Sequence, residues 1–356
     1  MLKKTFFTLI LLYSLGSISL LQASKLTSNP GTIDDPVVVN VTMLLLNVNE
    51  IESASQSFNA NVFFQLEWQD DRLTHSGKDM QKYKLDDIWH PNMTFANETH
   101  LRRTFPRIAH VSPSGHVVFI QRVVGDFSQA LNLSEFPFDT QTFEILLVSV
   151  GEYEEKKIII KPLNDHAGDL ADTFSLADWD VVNHTFEALI YQPFKLMNGD
   201  PAVSFQFTVN RKIGYYWLHA ILPLVFIVIM SMLIFWVPPT QAGVQIGVST
   251  TSMLTLVAYR FAIASSIPRV SYLTRLDTFI LISTILVFFT LIHSLLTAQL
   301  VDKGRENLAI KLDRTSRFLF PLIFIFSIVY LLILPRDINN EADWSLLIPT
   351  LMGIFG

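Results

Sequence analysis

The sequence predicts a multidomain α+β membrane protein in which an extracellular, immunoglobulin-like β-sandwich precedes a bundle of four transmembrane helices. Three observations support this fold class. Apolar and polar residues alternate along much of the first part of the chain, and four long apolar segments follow. Only 16% of the 356 residues are charged, whereas an average soluble domain has roughly 25%. The formal net charge of -6 and the lack of a long basic run disfavour a nucleic-acid partner.

The first 23 residues have the pattern of a secretory signal peptide. Lys3 and Lys4 precede an apolar run over 6–21, and Leu21-Gln22-Ala23 resembles a cleavage site. An uncleaved anchor helix is the alternative. Export would place the following segment outside the cytoplasm. Because the sequence contains no cysteine, no disulfide framework is expected there.

The exported segment, 24–211, shows the two-residue rhythm of half-buried strands. Phe63 and Gln65 are expected to face one side of a strand, and Phe64 and Leu66 the other. Turn sequences rich in proline, glycine and asparagine separate several such runs. Many short strands at this spacing indicate a β-sandwich. The other runs are 37–46, 116–124, 142–150, 157–161, 181–191 and 202–209.

The membrane domain is expected over 212–334. Its four apolar spans cover about 216–237, 244–264, 279–301 and 318–334. The linker before the fourth span has more lysine and arginine than acidic residues, which favours the cytoplasmic side and leaves the chain's end outside. We therefore expect a multi-pass protein of the cell (inner) membrane. The apolar tail 335–356 is too short and broken for a fifth span and is expected to be an interfacial helix.

The second span differs from an ordinary lipid anchor. A narrow helical stripe begins with small and polar side chains and then becomes apolar, which suits a lumen shared by sister helices. The alternative is an ordinary membrane helix whose hydroxyl groups bond its own carbonyls or its neighbours. The stripe consists of Gly247, Thr251, Leu254, Ala258, Phe261 and Ser265. The opposite side is expected to carry Ile246, Val248, Met253, Val257 and Ile263.

Several motifs, taken in order, resemble those of the pentameric ligand-gated ion channels, the Cys-loop receptor superfamily, in its bacterial branch. The resemblance covers roughly 37–334. The pore-helix run is similar to that of the bacterial amine-gated channel, and the absent cysteine pair and short cytoplasmic linker also fit bacterial members. The motifs are Trp68-x-Asp70, Trp89-x-Pro91, Phe136-Pro137-Phe138-Asp139, Arg211, the run 253–259, and Pro268-Arg269.

The resemblance implies a homopentamer in which agonist binding between neighbouring extracellular domains opens a central pore. Leu254 and Phe261 would form its hydrophobic gate. Two departures affect the agonist pocket: a carboxylate position of the amine-gated relative falls on Val148, and an aromatic position falls on Asp200, so that Glu152 is the candidate counter-ion. The pocket positions are Phe63, Gln65, Phe95, Asn97, Phe119, Glu152, Tyr153, Tyr191 and Phe194.

The resemblance also implies coupling residues near the membrane surface. An Asp139–Arg211 pair would be strong in low-dielectric surroundings, and a static structural pair is the alternative. The coupling candidates are Glu52, Asp139, Arg211, Pro268 and Arg269.

The function expected is therefore an ion channel opened by a small-molecule agonist, whose identity is open and for which an amine is one candidate. Monovalent cations are the expected permeant ions because bacterial relatives mostly conduct them, although no charged ring lies before Gly247. Proton gating is one alternative, since His219 and His293 lie within spans. A non-conducting ligand sensor is another. Enzyme motifs and metal-ligand spacing are absent from the sequence, so we expect no enzyme activity, cofactor or metal.

Overall fold

The computed structural model describes residues 26–150, 157–171, 174–193, 199–264, 267 and 270–334. The chain divides into two compact units. The first holds the chain up to Asn132 together with Phe138–Lys212, and the second holds Leu133–Pro137 and the chain from Ile213 onward. The predicted signal peptide and the apolar tail 335–356 lie outside the described residues, so both remain predictions.

The first unit is built from two sheets. The larger has the strand order β10-β1-β2-β7-β6-β3, with β9 pairing β1 and β5 pairing β7, and the smaller has the order β11-β12-β8-β4. The strands are β1 (Val37–Glu52), β2 (Ser57–Gln69), β3 (Gln81–Lys84), β4 (Met93–Phe95), β5 (Glu98–Arg103), β6 (Ile108–Val111), β7 (His116–Ser128), β8 (Thr140–Ser149), β9 (Ile158–Pro162), β10 (Gly168–Leu170), β11 (Trp179–Tyr191) and β12 (Asp200–Arg211).

Aromatic side chains join the two sheets into one core. The ring of Phe58 on β2 lies 4.9 Å from Phe143 on β8 and 5.7 Å from Phe207 on β12. These rings are buried because every second residue of each strand points inward, and β2 buries Phe64 while leaving Phe63 partly exposed. The predicted β-sandwich is therefore confirmed. Strands of three to six residues, such as β4, are too short to be predicted from the alternation of apolar and polar residues.

The second unit contains four helices long and apolar enough to cross a membrane. Because a 20-residue helix spans roughly 30 Å, each exceeds the length that a bilayer core requires. The first span includes a π-helical segment, Trp217–Ile221, and the fourth has Pro321 in its interior. The helices are α1 (Gly214–Trp236), α2 (Ala242–Ile263), α3 (Arg275–Asp302) and α4 (Glu306–Ile328).

Helix α3 begins before its apolar run. Thr274 accepts a hydrogen bond from the backbone of Asp277, whose carboxylate bonds Thr274 in return, so a capping box fixes the start at Arg275. Leu133–Pro137 packs against this helix start. The amide of Leu276 donates to the Phe136 carbonyl over 3.1 Å. Part of the Phe-Pro-Phe-Asp motif thus belongs structurally to the helical unit.

Candidate functional site

Helix α2 has one exposed face and one buried face. The five described stripe residues are exposed. The two large apolar side chains among them, Leu254 and Phe261, are 69% and 78% accessible to solvent. Apolar side chains left bare within one subunit need another surface to cover them. The exposed stripe residues are Gly247, Thr251, Leu254, Ala258 and Phe261, while Ser265 lies outside the described residues.

The buried face of α2 is more polar than the sequence suggested. Gln245, Ser249 and Ser252 are buried there with Leu256, whereas four of the five apolar residues expected on that side lie on the flanks. Ser249 shares a 3.0 Å hydrogen bond with Ser294 of α3. The polar face holds neighbouring helices by hydrogen bonds. Its spacing of four and three residues was a signal that could have revealed it. The flanking residues are Ile246, Val248, Met253 and Val257, whereas Ile263 lies in line with Gln245 at the other end of the helix and is partly buried.

Arg260 is a charged residue of α2 that sequence reasoning passed over. It is exposed, and it lies roughly 140° around the helix from the stripe, at 100° per residue. Among the described residues the structure gives its guanidinium no hydrogen-bond or ion-pair partner. Its direction excludes it from the row containing Leu254 and Phe261. A single charge in an otherwise uncharged span was the signal for it.

The expected pocket residues on β2 and β7 separate into surface and core. Phe63 is partly exposed, and its ring lies 6.4 Å from Phe105. Gln65 is also partly exposed and donates to Glu67 over 2.5 Å. Phe95 and Phe119, in contrast, are buried. Both pack against Phe64, because they lie on inward positions of their strands. Their rings therefore contribute to the core, and Phe119 also lines a cavity together with His90 and Arg107.

Asn97 has a structural role as placed. Its side-chain amide donates to the Glu144 carbonyl over 2.7 Å, and its oxygen accepts from the Leu146 amide over 3.4 Å. These bonds fix the chain after β4 against β8. The remaining pocket candidates Glu152, Tyr153 and Phe194 lie outside the described residues.

Tyr191 and Asp200 face each other at the ends of β11 and β12. Tyr191 packs on a small core cluster that includes Val148. Oδ1 of Asp200 is buried and has no hydrogen-bond partner among the described residues. Burial raises the pKa of the Asp200 carboxyl above its usual range. The position that departed from the family pattern thus supplies a carboxylate next to a predicted pocket aromatic.

The Asp139–Arg211 pair is present and closely bonded. Arg211 donates to both carboxylate oxygens, over 2.7 and 3.0 Å, and the two side chains are 5% and 2% exposed. Gln141 donates to Asp139 over 2.7 Å, and the guanidinium lies 4.0 Å from the centre of the Trp179 ring. The two parallel hydrogen bonds make this a bidentate ion pair, which is the strong form of the interaction.

The other coupling candidates are less connected. Glu52 is exposed and accepts a 2.6 Å hydrogen bond from Ser55 within its own hairpin. Ser53 of the same hairpin accepts a 3.5 Å contact from Arg211. Pro268 and Arg269 lie outside the described residues.

Comparison with known proteins decides the family. Residues 19–213 match the family model described as the neurotransmitter-gated ion-channel ligand binding domain, and residues 220–307 match that of the transmembrane region. The chain belongs to the neurotransmitter-gated ion-channel family. The resemblance to prokaryotic pentameric ligand-gated channels is thereby confirmed.

One relative of this chain is a proton-gated ion channel of Gloeobacter violaceus. It is 26% identical over 309 residues, which cover 85% of this chain and 84% of that protein. Membership makes the chain a multi-pass membrane channel whose extracellular ligand-binding domain precedes four membrane-spanning helices. The family consists of ion channels and not of enzymes.

Proposed function

We propose that five copies of the chain form a homopentamer in which α2 lines a central pore. The observation that carries this proposal is the exposed stripe of α2. The described residues of the same subunit leave Leu254 and Phe261 exposed, and a fivefold arrangement would direct them at one axis. A ring of such side chains closes a pore because a narrow apolar constriction does not stay wet.

The agonist site is proposed between neighbouring extracellular domains. Tyr191 and Asp200 supply an aromatic ring and a carboxylate on one subunit, and Phe63 supplies a ring on the next. This combination suits a small organic ammonium ion. Each cation–π contact contributes about 0.5–2 kcal/mol, and the carboxylate adds charge complementarity. Asp139 and Arg211 would transmit the signal toward the membrane if their pairing differs between the closed and open states.

Monovalent cations are the proposed permeant ions. The described lumen-facing stripe of α2 carries no charge, and Arg260 points away from it, so selectivity set by the pore helix should be weak. Reversal potentials in asymmetric salt measure this directly. An anion-selective reversal potential would contradict the proposal.

The test is current from the purified full-length protein in planar bilayers, challenged with small amines, amino acids and pH steps. Leu254→Ser should ease opening or slow desensitisation, because a hydroxyl keeps the constriction wet. Leu281→Ser is the matched control, since Leu281 is exposed on α3 away from the stripe. Unchanged gating in Leu254→Ser would remove Leu254 as the constriction.

Proton gating is the second candidate function. Two observations favour it: the relative from Gloeobacter is a proton-gated channel, and a buried His293–Asp313 pair lies inside the helical unit. A pH step that opens the channel without any amine would select this candidate. Absence of current in every condition, with amines still raising the melting temperature, would instead indicate a non-conducting sensor.

A further inference from the structure

The helical unit contains an incompletely bonded acid–base pair. Nε2 of His293 on α3 lies 3.6 Å from Oδ1 of Asp313 on α4, and the side chains are 6% and 4% exposed. Among the described residues, neither ring nitrogen of His293 has a hydrogen-bond partner, and Oδ1 of Asp313 has none. The separation exceeds the 2.7–2.9 Å typical of a charge-assisted bond by roughly 0.7–0.9 Å.

One proton satisfies this pair. If the proton resides on His293 the pair is an ion pair, and if it resides on Asp313 the pair is neutral; the total charge is zero in both forms. Without the proton, a carboxylate charge remains buried inside the helical unit beside a neutral imidazole. An unpaired charge in a buried environment is strongly unfavourable. The pair therefore has the composition of a one-proton site.

Gln245 connects this pair to the pore helix. Its side-chain nitrogen contacts Oδ2 of Asp313 over 3.2 Å and donates to the Val237 carbonyl over 2.8 Å. Its oxygen accepts a 3.0 Å hydrogen bond from Thr297 of α3. Gln245 is fully buried, so these bonds have no exchange with water. A change of charge on Asp313 consequently changes the force on α2 through the Gln245 amide.

The surroundings of the pair contain one further charge to consider. Arg317 lies one turn after Asp313 on α4, but its guanidinium bonds the Phe235 carbonyl over 2.9 Å and lies 5.3 Å from the Trp236 ring. From α1, the Phe235 ring packs 4.8 Å from the His293 ring. From α2, the neutral side chain of Gln245 contacts Asp313. From α3, the neutral side chain of Thr297 contacts Gln245 in turn. Arg317 thus supplies a fixed positive field without replacing the proton.

We propose that His293 and Asp313 bind one shared proton inside the helical unit and that Gln245 transmits its presence or absence to the pore-lining helix. This inference rests on the proposed function for its effect on gating. The binding of the proton itself does not, because it can be measured on protein that conducts no current.

The first measurement is the melting temperature of the purified full-length protein between about pH 5 and about pH 8. The variants are His293→Gln, Asp313→Asn and the double replacement. The difference between wild type and each variant should change by about 2–4 °C across this range. The double variant should differ little from the single ones, because the two residues act as one site. A difference that stays constant with pH would overturn the proton site, whether or not the protein conducts.

The second measurement is bilayer current after pH steps. Wild type should show a pH-dependent change in opening that both single variants lose. His219→Gln, at an exposed histidine of the first span, should retain it. A pH response that survives in His293→Gln and Asp313→Asn would overturn the link to gating. Absence of any wild-type current would refute the proposed channel function, and the melting curves would still decide the proton site.

Discussion

Two buried carboxylates, one in each structural unit, show opposite degrees of hydrogen bonding. Asp139 in the sandwich has both oxygens bonded by Arg211 and a further donor in Gln141. Asp313 in the helical unit has Gln245 on one oxygen and an imidazole 3.6 Å from the other. A carboxylate whose oxygens are all hydrogen-bonded holds the structure in one state. A buried carboxylate with an unbonded oxygen can still bind a ligand, and a proton is the smallest ligand available.

Asp200 extends this comparison to the surface of the sandwich. Like Asp313, it has one buried carboxylate oxygen without a partner in the described part of the chain. Unlike Asp313, it lies at the end of a strand beside Tyr191 and is only partly buried as a residue. We therefore propose that the Asp139 pair stabilises the sandwich and that Asp200 binds a ligand, and variants at these positions test the proposal.

The largest effect is expected from Asp139→Asn. Removing one partner of a buried, bidentate ion pair leaves the Arg211 charge uncompensated, which costs about 3–5 kcal/mol of unfolding free energy. Chemical denaturation of the purified protein measures this loss. Asp180→Asn is the matched control, because Asp180 pairs with Lys212, the residue directly after Arg211, and these two side chains are 69% and 45% exposed. It should lose less than about 1 kcal/mol. Equal losses in both variants would contradict a saturated structural pair.

An intermediate effect is expected from Asp200→Asn, and on agonist potency rather than stability. Loss of a carboxylate beside an ammonium ion should weaken an amine agonist by about tenfold, or about 1.4 kcal/mol. Because the pKa of Asp200 is raised, its neutral form is favoured in the folded state, and the stability that this confers is lost as pH rises through that pKa. The uncharged asparagine should therefore not lower the melting temperature at neutral pH.

Concentration–response curves for the amine that opens the channel provide the measurement. Wild-type potency should also fall as the pH approaches the raised pKa from above, since the protonated carboxyl no longer attracts a cation. Glu187→Gln on β11 is the control for a general loss of negative charge. Glu187 is exposed and lies four positions before Tyr191 on the same strand. Equal potency of Asp200→Asn and wild type would remove Asp200 from the site.

Sequence patterns captured the local features of this channel and missed those created by tertiary contact. The alternation around Phe63 and Phe64 and the four apolar spans follow from strand and helix periodicity. The start of α3 was placed four residues late, because apolarity begins at Phe279 whereas the Thr274 cap sets the boundary. The burial of Phe95 escaped prediction because a three-residue strand offers no period to read.

The polar cluster of the helical unit illustrates the same limit. His293, Asp313 and Gln245 are 20 or more positions apart in pairs, and only the packing of three helices brings them together. A lone intramembrane histidine could be recognised as unusual from sequence, but its acidic partner could not be named. Asp313 lies in a segment of mixed charge before the predicted fourth span, so the sequence pattern indicates a cytoplasmic linker there and not a buried carboxylate.

The smallest effect is expected at His90, a partly buried titratable group of the sandwich that lines a cavity with Arg107. Burial lowers the pKa of His90, and the Arg107 cation lowers it further. The Asn92 amide donates to its Nδ1 over 3.2 Å, which also favours the neutral ring. Because the folded-state pKa is depressed, His90 contributes stability that is complete above about pH 6.5 and is lost as pH falls through the lowered pKa.

His90→Gln should therefore flatten part of the acid limb of the stability curve, as measured by melting temperature from about pH 7 down to about pH 4. Arg107→Gln is the companion variant. Removing the Arg107 charge should partly reverse the lowering of the His90 pKa and so shift the acid limb of the stability curve. The shift should be partial, because burial of His90 remains. The Arg107–Asp86 ion pair, whose charged atoms are 2.7 Å apart, is exposed to solvent. Its loss should therefore lower the melting temperature only slightly, and by a constant amount at any pH where Asp86 is ionised. An unaltered acid limb in both variants would place the acid sensitivity of the sandwich elsewhere.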